Sequence, residues 1–274
     1  MLGLCYQVAT PEVYHLPGIT SYHGDLHVAF RFLKECGYND VELMVRNPKE
    51  INLFEIEKEV KGAHFTVPMI CTGEIYGQDK LSFADPNPEI RQEAINRVKA
   101  AIDMAAIFGK MINLGRVRGG FYYDVPKEVT YNRILDAILE IIDYASKKGV
   151  TIALEPVNTL GLNFINTTIE GIEFVKQINS PFFMLMIDTA HMFIEDKDIN
   201  KSVYNSSNYL VYVHLADSNR KYPGAGNFNF KHFFDLLRKI NYNGWLSVEV
   251  FPIPDQNTSV IRSFQYIRPF LNKI

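Results

Sequence analysis

The chain has 274 residues, of which 47% are hydrophobic and 22% charged, which is enough for one large domain or two smaller ones with full hydrophobic cores. Its formal net charge of −3 argues against a polyanionic partner such as a nucleic acid. The three cysteines, Cys5, Cys36 and Cys71, lie in apolar segments without paired spacing, which is typical of reduced thiols packed in a core.

The amino-terminal segment Met1–Cys5 carries no charged stretch of the kind that precedes a signal sequence. No apolar run approaches the roughly 18 residues that are needed to cross a bilayer. The sequence therefore predicts a soluble, cytoplasmic protein without membrane association.

Short runs rich in Val, Ile and Leu alternate with longer segments of helical periodicity. The predicted strands are Leu2–Val8, Asp40–Val45, His64–Cys71, Lys110–Leu114, Thr151–Glu155, Phe182–Asp188, Leu210–Ala216 and Trp245–Val250. The predicted helices are Asp25–Cys36, Leu53–Val60, a long segment from Pro88 up to Gly109, Val129–Lys147, Thr168–Ile178, a more polar one around Ile194–Asn205, Phe230–Ile240 and Ser259–Leu271.

Eight strands and eight helices in strict alternation, at about 34 residues for each pair, predict an α/β fold, a single (β/α)8 TIM barrel over residues 1–274. Glycines support this prediction, because Gly37, Gly109, Gly149 and Gly244 each stand between a helix and the next strand, where a left-handed helix cap is common. A doubly wound open sheet is the competing architecture, but no GxGxxG motif follows the first strand.

Four apolar strands end in a residue that can bind a metal, namely Glu155, Asp188, His214 and Glu249. They close strands five to eight, which are neighbours around a barrel, and barrel function resides at the carboxyl ends of the strands. Each residue alone is explained equally well by a salt bridge or hydrogen bond, but four on adjacent strands favour one site. Clustered carboxylates repel each other unless a cation neutralises them.

Three acidic oxygens and one imidazole suit Mn²⁺ best, with Mg²⁺, Co²⁺ or Zn²⁺ as alternatives, and the absence of thiolates argues against a structural zinc. The sequence therefore predicts one divalent metal ion per chain.

This residue set resembles the metal site of the xylose-isomerase-like barrel superfamily, and more narrowly the sugar-phosphate isomerase/epimerase family that holds the D-tagatose (ketose) 3-epimerases. The similarity includes the flanking segments Glu155–Asn158, Asp188–Met192, His214–Arg220, Tyr222–Gly226, Leu81–Phe83, Glu89–Arg91 and Arg118–Gly119. It therefore extends over nearly the whole chain.

The resemblance implies a metal-dependent epimerisation at the carbon next to a ketose carbonyl (C3), through a cis-enediolate. Glu155 and Glu249 match the acid/base pair of the family and are also metal ligands, and Asp188 and His214 complete the coordination. His191 and Arg220 match residues that hold and polarise the substrate carbonyl. Members of the family also associate, so a homo-oligomer, dimer or tetramer, is expected.

Two positions depart from the family pattern. Gly161 stands where 3-epimerases of free sugars commonly carry a further glutamate, and Asn229 stands where an aspartate is usual. Arg116 and Arg118 follow strand four, and a guanidinium there could bind a carboxylate or phosphate. These features look most like the branch that epimerises keto-hexonates such as 5-keto-L-gluconate. The alternative is that these arginines pair with loop carboxylates such as Glu74 or Asp124.

Other functions fit the same pattern. A 1,2-aldose–ketose isomerase or an inosose dehydratase would use the same fold and metal, whereas a non-catalytic sugar- or metal-binding barrel would not need two carboxylates able to exchange protons. A DNA-repair nuclease of this superfamily would need further histidine ligands, which strands two to four do not offer. Glu42 lies within strand two, where a structural hydrogen bond is more expected than a role as a ligand.

Overall fold

The computed structural model describes residues 3–271, and within them eight parallel strands form a closed barrel. The strands follow one another around the barrel in chain order: β1 Leu4–Ala9, β2 Asp40–Met44, β3 Ile70–Cys71, β4 Met111–Leu114, β5 Thr151–Leu154, β6 Phe183–Asp188, β7 Leu210–Leu215 and β8 Trp245–Val248. Pairing of β1 with β8 closes the ring. The predicted (β/α)8 barrel is confirmed, while the extension of the domain to both chain ends stays a prediction.

Ten α-helices accompany the strands in the described part of the chain. They are α1 Leu26–Cys36, α2 Leu53–Gly62, α3 Gly73–Gly77, α4 Pro88–Ile107, α5 Lys127–Lys148, α6 Thr168–Ile178, α7 Thr189–Glu195, α8 Ile199–Ser206, α9 Phe230–Lys239 and α10 Gln256–Leu271. Within residues 3–271, every helix is either too short or too polar to cross a membrane.

Two predicted elements differ from the structure, and one short helix was not predicted. The single helix expected around Ile194–Asn205 is two helices, because Asp188 begins α7 as its cap and Asp198 begins α8 in the same way. The third strand is reduced to Ile70–Cys71, with only an isolated bridge at Thr66, because Pro68 has no amide hydrogen for the ladder. The five-residue helix α3 was not predicted.

Left-handed helix caps occur at Gly37 and Gly149, as predicted, but not at the other two glycines. After α4 the positive φ belongs to Lys110, and after α9 it belongs to Asn241. Gly109 is instead required by close packing, since a Cβ there would lie 1.9 Å from the carbonyl oxygen of Val67.

Side chains along each strand point alternately into and out of the barrel, and this alternation positions the site. A layer of Met69, Ala153, Met186 and Tyr212 forms a cluster separate from the core that lies between the sheet and the helices. Because side chains repeat every two residues on one face of a strand, the next inward positions towards the carboxyl ends are Glu155, Asp188 and His214. The polar site therefore lies directly above an apolar layer.

Candidate active site

The strand register places the four predicted ligands next to one another. Asp188 pairs with His214 between β6 and β7, and Glu155 and Glu249 directly follow β5 and β8. One candidate ligand atom from each of the four residues lies within 4.8 Å of all the others. The four side chains that the sequence predicted to converge are therefore brought together.

His214 is the central member of this group. Its Nδ1 atom lies 3.3 Å from Glu249 Oε2, 3.7 Å from Glu155 Oε1 and 3.8 Å from Asp188 Oδ2. This nitrogen is buried and has no hydrogen-bond partner among the described residues. A buried nitrogen surrounded by carboxylate oxygens is the arrangement expected of a ligand that faces a cation.

The opposite side of the His214 ring is fixed by Glu42. Both carboxylate oxygens of Glu42 lie 3.0 Å from His214 Nε2, and the hydroxyl of Tyr212 donates to Oε2 at 2.9 Å. Glu42 also accepts from the amide of Gln7, which reaches Glu249 at 3.3 Å. The structural role expected for Glu42 is confirmed, and it orients the imidazole so that Nδ1 points towards the carboxylates.

Asp188 serves two purposes. Its Oδ1 accepts from the backbone amides of Ala190 and His191 and so caps α7, while its Oδ2 accepts from Arg220 Nη1 at 2.9 Å. Burial raises the pKa of this carboxyl, and the Arg220 charge opposes that rise. One carboxylate therefore ties the start of α7 to the charged site.

Arg220 bridges two of the carboxylates, because its second nitrogen, Nη2, donates to Glu249. Burial alone would raise the pKa of Glu249, but Arg220 and His214 outweigh it and hold this pKa well below its ordinary value. The Arg220 backbone has φ of 60°, which is unfavourable for a residue with a side chain. Hydrogen bonds to Asp217 O and from Phe251 N hold it there.

Asp217 maintains the loop around Arg220. It is buried and accepts hydrogen bonds from the backbone amides of Ser218, Gly224 and Phe228. The carboxylate thus closes the segment after β7 into a compact loop, which positions Arg220.

The residues present fit one divalent cation. Burial lowers the pKa of His214, but the negative charges of Glu42 and Glu249 outweigh this effect and raise the pKa well above its ordinary value. Positive charge is therefore favoured at this point. Three carboxylates and an imidazole nitrogen are hard and borderline donors of the type that Mn²⁺ and Mg²⁺ accept. The buried Nδ1 of His214, which lacks a hydrogen-bond partner within residues 3–271, supports this match from the geometry.

A cavity of about 490 Å³ opens above these residues. Glu155 and Glu249 line it together with His191, Arg220 and Arg116. Asp188 and His214 are buried beneath, with exposures of 1% and 0%. The four predicted ligands therefore fall into two pairs: Asp188 and His214 form the floor of the cavity, and Glu155 and Glu249 face into it.

His191 is held by Asn158, which sequence analysis did not single out. The Asn158 amide lies 2.8 Å from His191 Nδ1, and His191 Nε2 lies 3.8 Å from Glu155 Oε1. Burial and the nearby Arg220 charge lower the pKa of His191 to about 3. The ring is therefore neutral, and donation from the Asn158 amide leaves the proton on Nε2, which faces the cavity.

Arg116 and Arg118 have different surroundings. Arg116 lines the cavity and pairs with Glu74 at 2.9 Å, as the alternative for this residue proposed. Arg118 is fully buried and donates to the carbonyl oxygens of Gly115, Glu155, Phe164 and Ile165. The prediction that Arg118 binds substrate is wrong, because its guanidinium is used to join two loops of the chain.

Comparison with known proteins shows the family to which the chain belongs. Residues 30–270 match the family described as "Xylose isomerase-like TIM barrel". The chain belongs to this family. An L-ribulose 3-epimerase of Mesorhizobium japonicum is 26% identical over 246 residues, which cover 88% of this chain and 81% of that protein. An L-ribulose 3-epimerase of a Methylomonas species is 42% identical, but the match covers only 42% of this chain and 40% of that relative.

Among solved structures, the D-allulose 3-epimerase of a Methylomonas species in complex with D-allulose has a TM-score of 0.81. It is 22% identical, and the match covers 98% of both chains. This likeness supports the fold over nearly the full length.

Proposed function

We propose that this chain is a divalent-metal-dependent sugar epimerase that inverts the carbon next to the carbonyl (C3) of a ketose or keto-hexonate. The observation that carries the proposal is the division of the four ligands. Glu155 and Glu249 face the cavity, while Asp188 and His214 lie buried beneath it. Two carboxylates that both reach bound substrate are what a two-base inversion requires.

The cation would be held by the four clustered residues, and when bound it would act as a Lewis acid that stabilises negative charge on the substrate. In the proposed reaction, one of the glutamates removes the proton from the carbon beside the carbonyl, which leaves an enediolate of the sugar. The other glutamate, which carries a proton at the start of the reaction, then donates that proton to the opposite face and inverts that carbon. Which glutamate acts first depends on the epimer bound.

The surrounding residues support this chemistry. Arg220 and His214 hold the pKa of Glu249 well below its ordinary value, which supports Glu249 as the base in the direction in which it removes the proton. Neutral His191 can donate its Nε2 hydrogen to the substrate carbonyl oxygen, while Arg220 supplies a fixed positive charge at the cavity wall. Because His191 stays neutral over the whole ordinary pH range, its donor function does not change with pH.

The relatives that act on L-ribulose and D-allulose support a ketose as substrate. A keto-hexonate is the alternative substrate, because Arg116, which could bind its carboxylate, lines the cavity and has a side chain that is 38% exposed. The charge of Arg116 is already balanced by buried Glu74, however, which weakens its attraction for a substrate carboxylate.

Proton exchange from D₂O tests the proposal. The Mn²⁺-loaded protein is incubated with ketohexoses, ketose phosphates and keto-hexonates, and deuterium is located by NMR. Label at C3 with inversion is expected. Label at C1 would instead support an isomerase, loss of water a dehydratase, and binding without exchange a non-catalytic barrel.

The glutamate pair is tested in the same assay. Glu155→Gln and Glu249→Gln should each lower the exchange rate by a factor on the order of 10²–10⁴, because each removes a group that transfers a proton. Glu140→Gln is a matched control, since Glu140 pairs with Lys99 on the surface. Full turnover by either active-site variant would refute the two-base mechanism.

A further inference from the structure

A second cavity of about 300 Å³ lies beside the cavity that holds Glu155 and Glu249. It is formed by the loops after β4 and β5 together with Tyr76 and Ser82 from the segment after β3. The turn Leu160–Gly161 lines both cavities and is the border between them. Leu160 is 87% exposed at this border, so its side chain faces outwards rather than filling the space.

The absence of a side chain at position 161 keeps this border narrow. A Cβ built on Gly161 would lie 3.0 Å from Val157 Cγ1, and Val157 lines the first cavity. Any larger residue at this position would therefore take up space at the wall of the first cavity. Glycine leaves the two cavities separated by little more than the backbone of one turn.

The lining of the second cavity has the character of a carbohydrate site. Three aromatic residues, Tyr76, Phe121 and Tyr122, stand beside the hydroxyl-bearing residues Ser82 and Thr159. A pyranose ring presents apolar C–H faces and a polar rim of hydroxyls. Aromatic rings supply apolar contact area, and tyrosine hydroxyls supply hydrogen-bond partners for such a ligand.

The two loops are fixed before any ligand binds. The Asn163 side chain accepts from Phe121 N at 2.7 Å and donates to Phe121 O at 3.0 Å, which joins the loops directly. Arg118 joins them again from below through its four carbonyl acceptors. Thr159 is anchored in turn by Glu195. A preformed cavity loses less entropy on binding than one that must be ordered by its ligand.

From this juxtaposition we infer that the second cavity binds a second sugar ring, so that the chain acts on a keto-sugar that carries a glycosidic substituent. The reacting sugar lies above Glu155 and Glu249, and the substituent passes the Leu160–Gly161 turn. This inference rests on the proposed epimerase function and names the substrate class for that same site.

Matched substrates test the inference. The Mn²⁺-loaded full chain is given D-fructose and two glucosyl-fructoses joined through O4 or O6 of the fructose, and deuterium exchange beside the carbonyl is followed. Two linkages are used because the orientation of the bound ketose decides which hydroxyl faces the second cavity. At least one disaccharide should have a higher kcat/KM than fructose, through a lower KM.

Tyr122→Ala should lower the ratio of disaccharide to fructose kcat/KM by up to about tenfold, because it removes one aromatic wall. Tyr122→Phe should retain that ratio if the ring supplies the contact. Tyr123→Ala is the matched control, since Tyr123 is the next residue and is fully exposed at 107%. An equal loss in all variants would indicate a general disturbance of the loop and would overturn the assignment of Tyr122.

The two proposals fail in different ways. Exchange into fructose without exchange into either disaccharide would overturn the second-ring site and leave the epimerase function standing. Exchange into neither fructose, the disaccharides nor the wider set of ketoses and keto-hexonates would overturn the epimerase function, and the second-ring site would fall with it.

Discussion

At the scale of single residues, His214 shows how one imidazole is prepared for a cation. Glu42 holds its Nε2 atom from below, and this leaves Nδ1 directed at three carboxylates. The imidazole cannot rotate without breaking its hydrogen bonds to a fully buried carboxylate. A residue that hydrogen-bonds to a metal ligand, as Glu42 does to His214, normally controls both the orientation and the basicity of that ligand.

Glu42→Gln should therefore weaken Mn²⁺ binding by about 10- to 100-fold, because the variant removes the negative charge that supports His214. Isothermal titration of the metal-free protein measures this change, with near-ultraviolet circular dichroism to show that packing is retained. Glu59→Gln provides the control, since Glu59 pairs with His27 on the surface at the same 3.0 Å distance. Unchanged Mn²⁺ affinity in Glu42→Gln would contradict the orienting role.

Residue identity alone could predict the cluster of proposed ligands but not the residues that support it. Glu155, Asp188, His214 and Glu249 are recognisable because each breaks an apolar run at a strand end. Asn158 and Tyr212 carry no such signal, since an amide after a strand and a tyrosine within one have many ordinary uses. Their partners, His191 and Glu42, are 33 and 170 residues away, and only the closed barrel brings them together.

At the scale of elements, Arg118 joins the loops that follow β4 and β5. Its guanidinium is fully buried and donates four hydrogen bonds to backbone carbonyls. Burial lowers the pKa of Arg118 to about 10, so the group remains charged at neutral pH. One of its acceptors is the backbone carbonyl of Glu155, so Arg118 also holds the backbone of this proposed catalytic residue.

Arg118→Met should lower the free energy of unfolding by about 3–5 kcal/mol, because several buried carbonyl groups lose their donors. Arg116→Met is the matched variant and should cost less than about 1 kcal/mol, since its ion pair is partly exposed. Urea unfolding measures both. Equal and small losses would show that Arg118 does not hold the loops.

The elements were predictable to the extent that local chemistry decided them. Apolar runs marked the strands, and Thr168–Ile178 was predicted with the bounds that its capping box defines. The helix α3 was missed because five residues between Gly73 and Gly77 have no helical period to detect. Loop arginines were the hardest case, since Arg116 and Arg118 are two residues apart and differ only in what the fold packs around them.

At the scale of the whole molecule, the four proposed ligands lie at the ends of four consecutive strands of one closed sheet. A cation bound there would link β5, β6, β7 and β8 at their carboxyl ends and would offset the repulsion among three carboxylates that Arg220 offsets only in part. Binding to the folded chain alone must increase its stability.

Saturation with Mn²⁺ at a hundred times its Kd should stabilise the fold by about 2.7 kcal/mol, which corresponds to a rise in Tm on the order of 5–10 °C for a chain of this size. Differential scanning calorimetry measures the rise, and EDTA should reverse it. Asp188→Asn should lose most of the shift, whereas Glu59→Gln should keep it. A Tm that does not respond to Mn²⁺, Mg²⁺, Co²⁺ or Zn²⁺ would contradict the metal site.

The alternation of short apolar and longer amphipathic segments sufficed to predict the barrel, because a right-handed strand–helix repeat of this number closes on itself. The cavities were beyond prediction, since their walls come from loops such as 157–163 whose shape depends on long-range partners like Arg118. Oligomeric state and cellular location stay predictions.

The buried floor of the site has a consequence for the order in which the cation and the sugar would bind and leave. Asp188 and His214 are buried, whereas Glu155 and Glu249 face the cavity. A cation that reaches the proposed ligands through this cavity would pass through the space that we propose the sugar fills. We expect the sugar to enter last and leave first, so that a bound sugar traps the ion and slows its escape to a chelator.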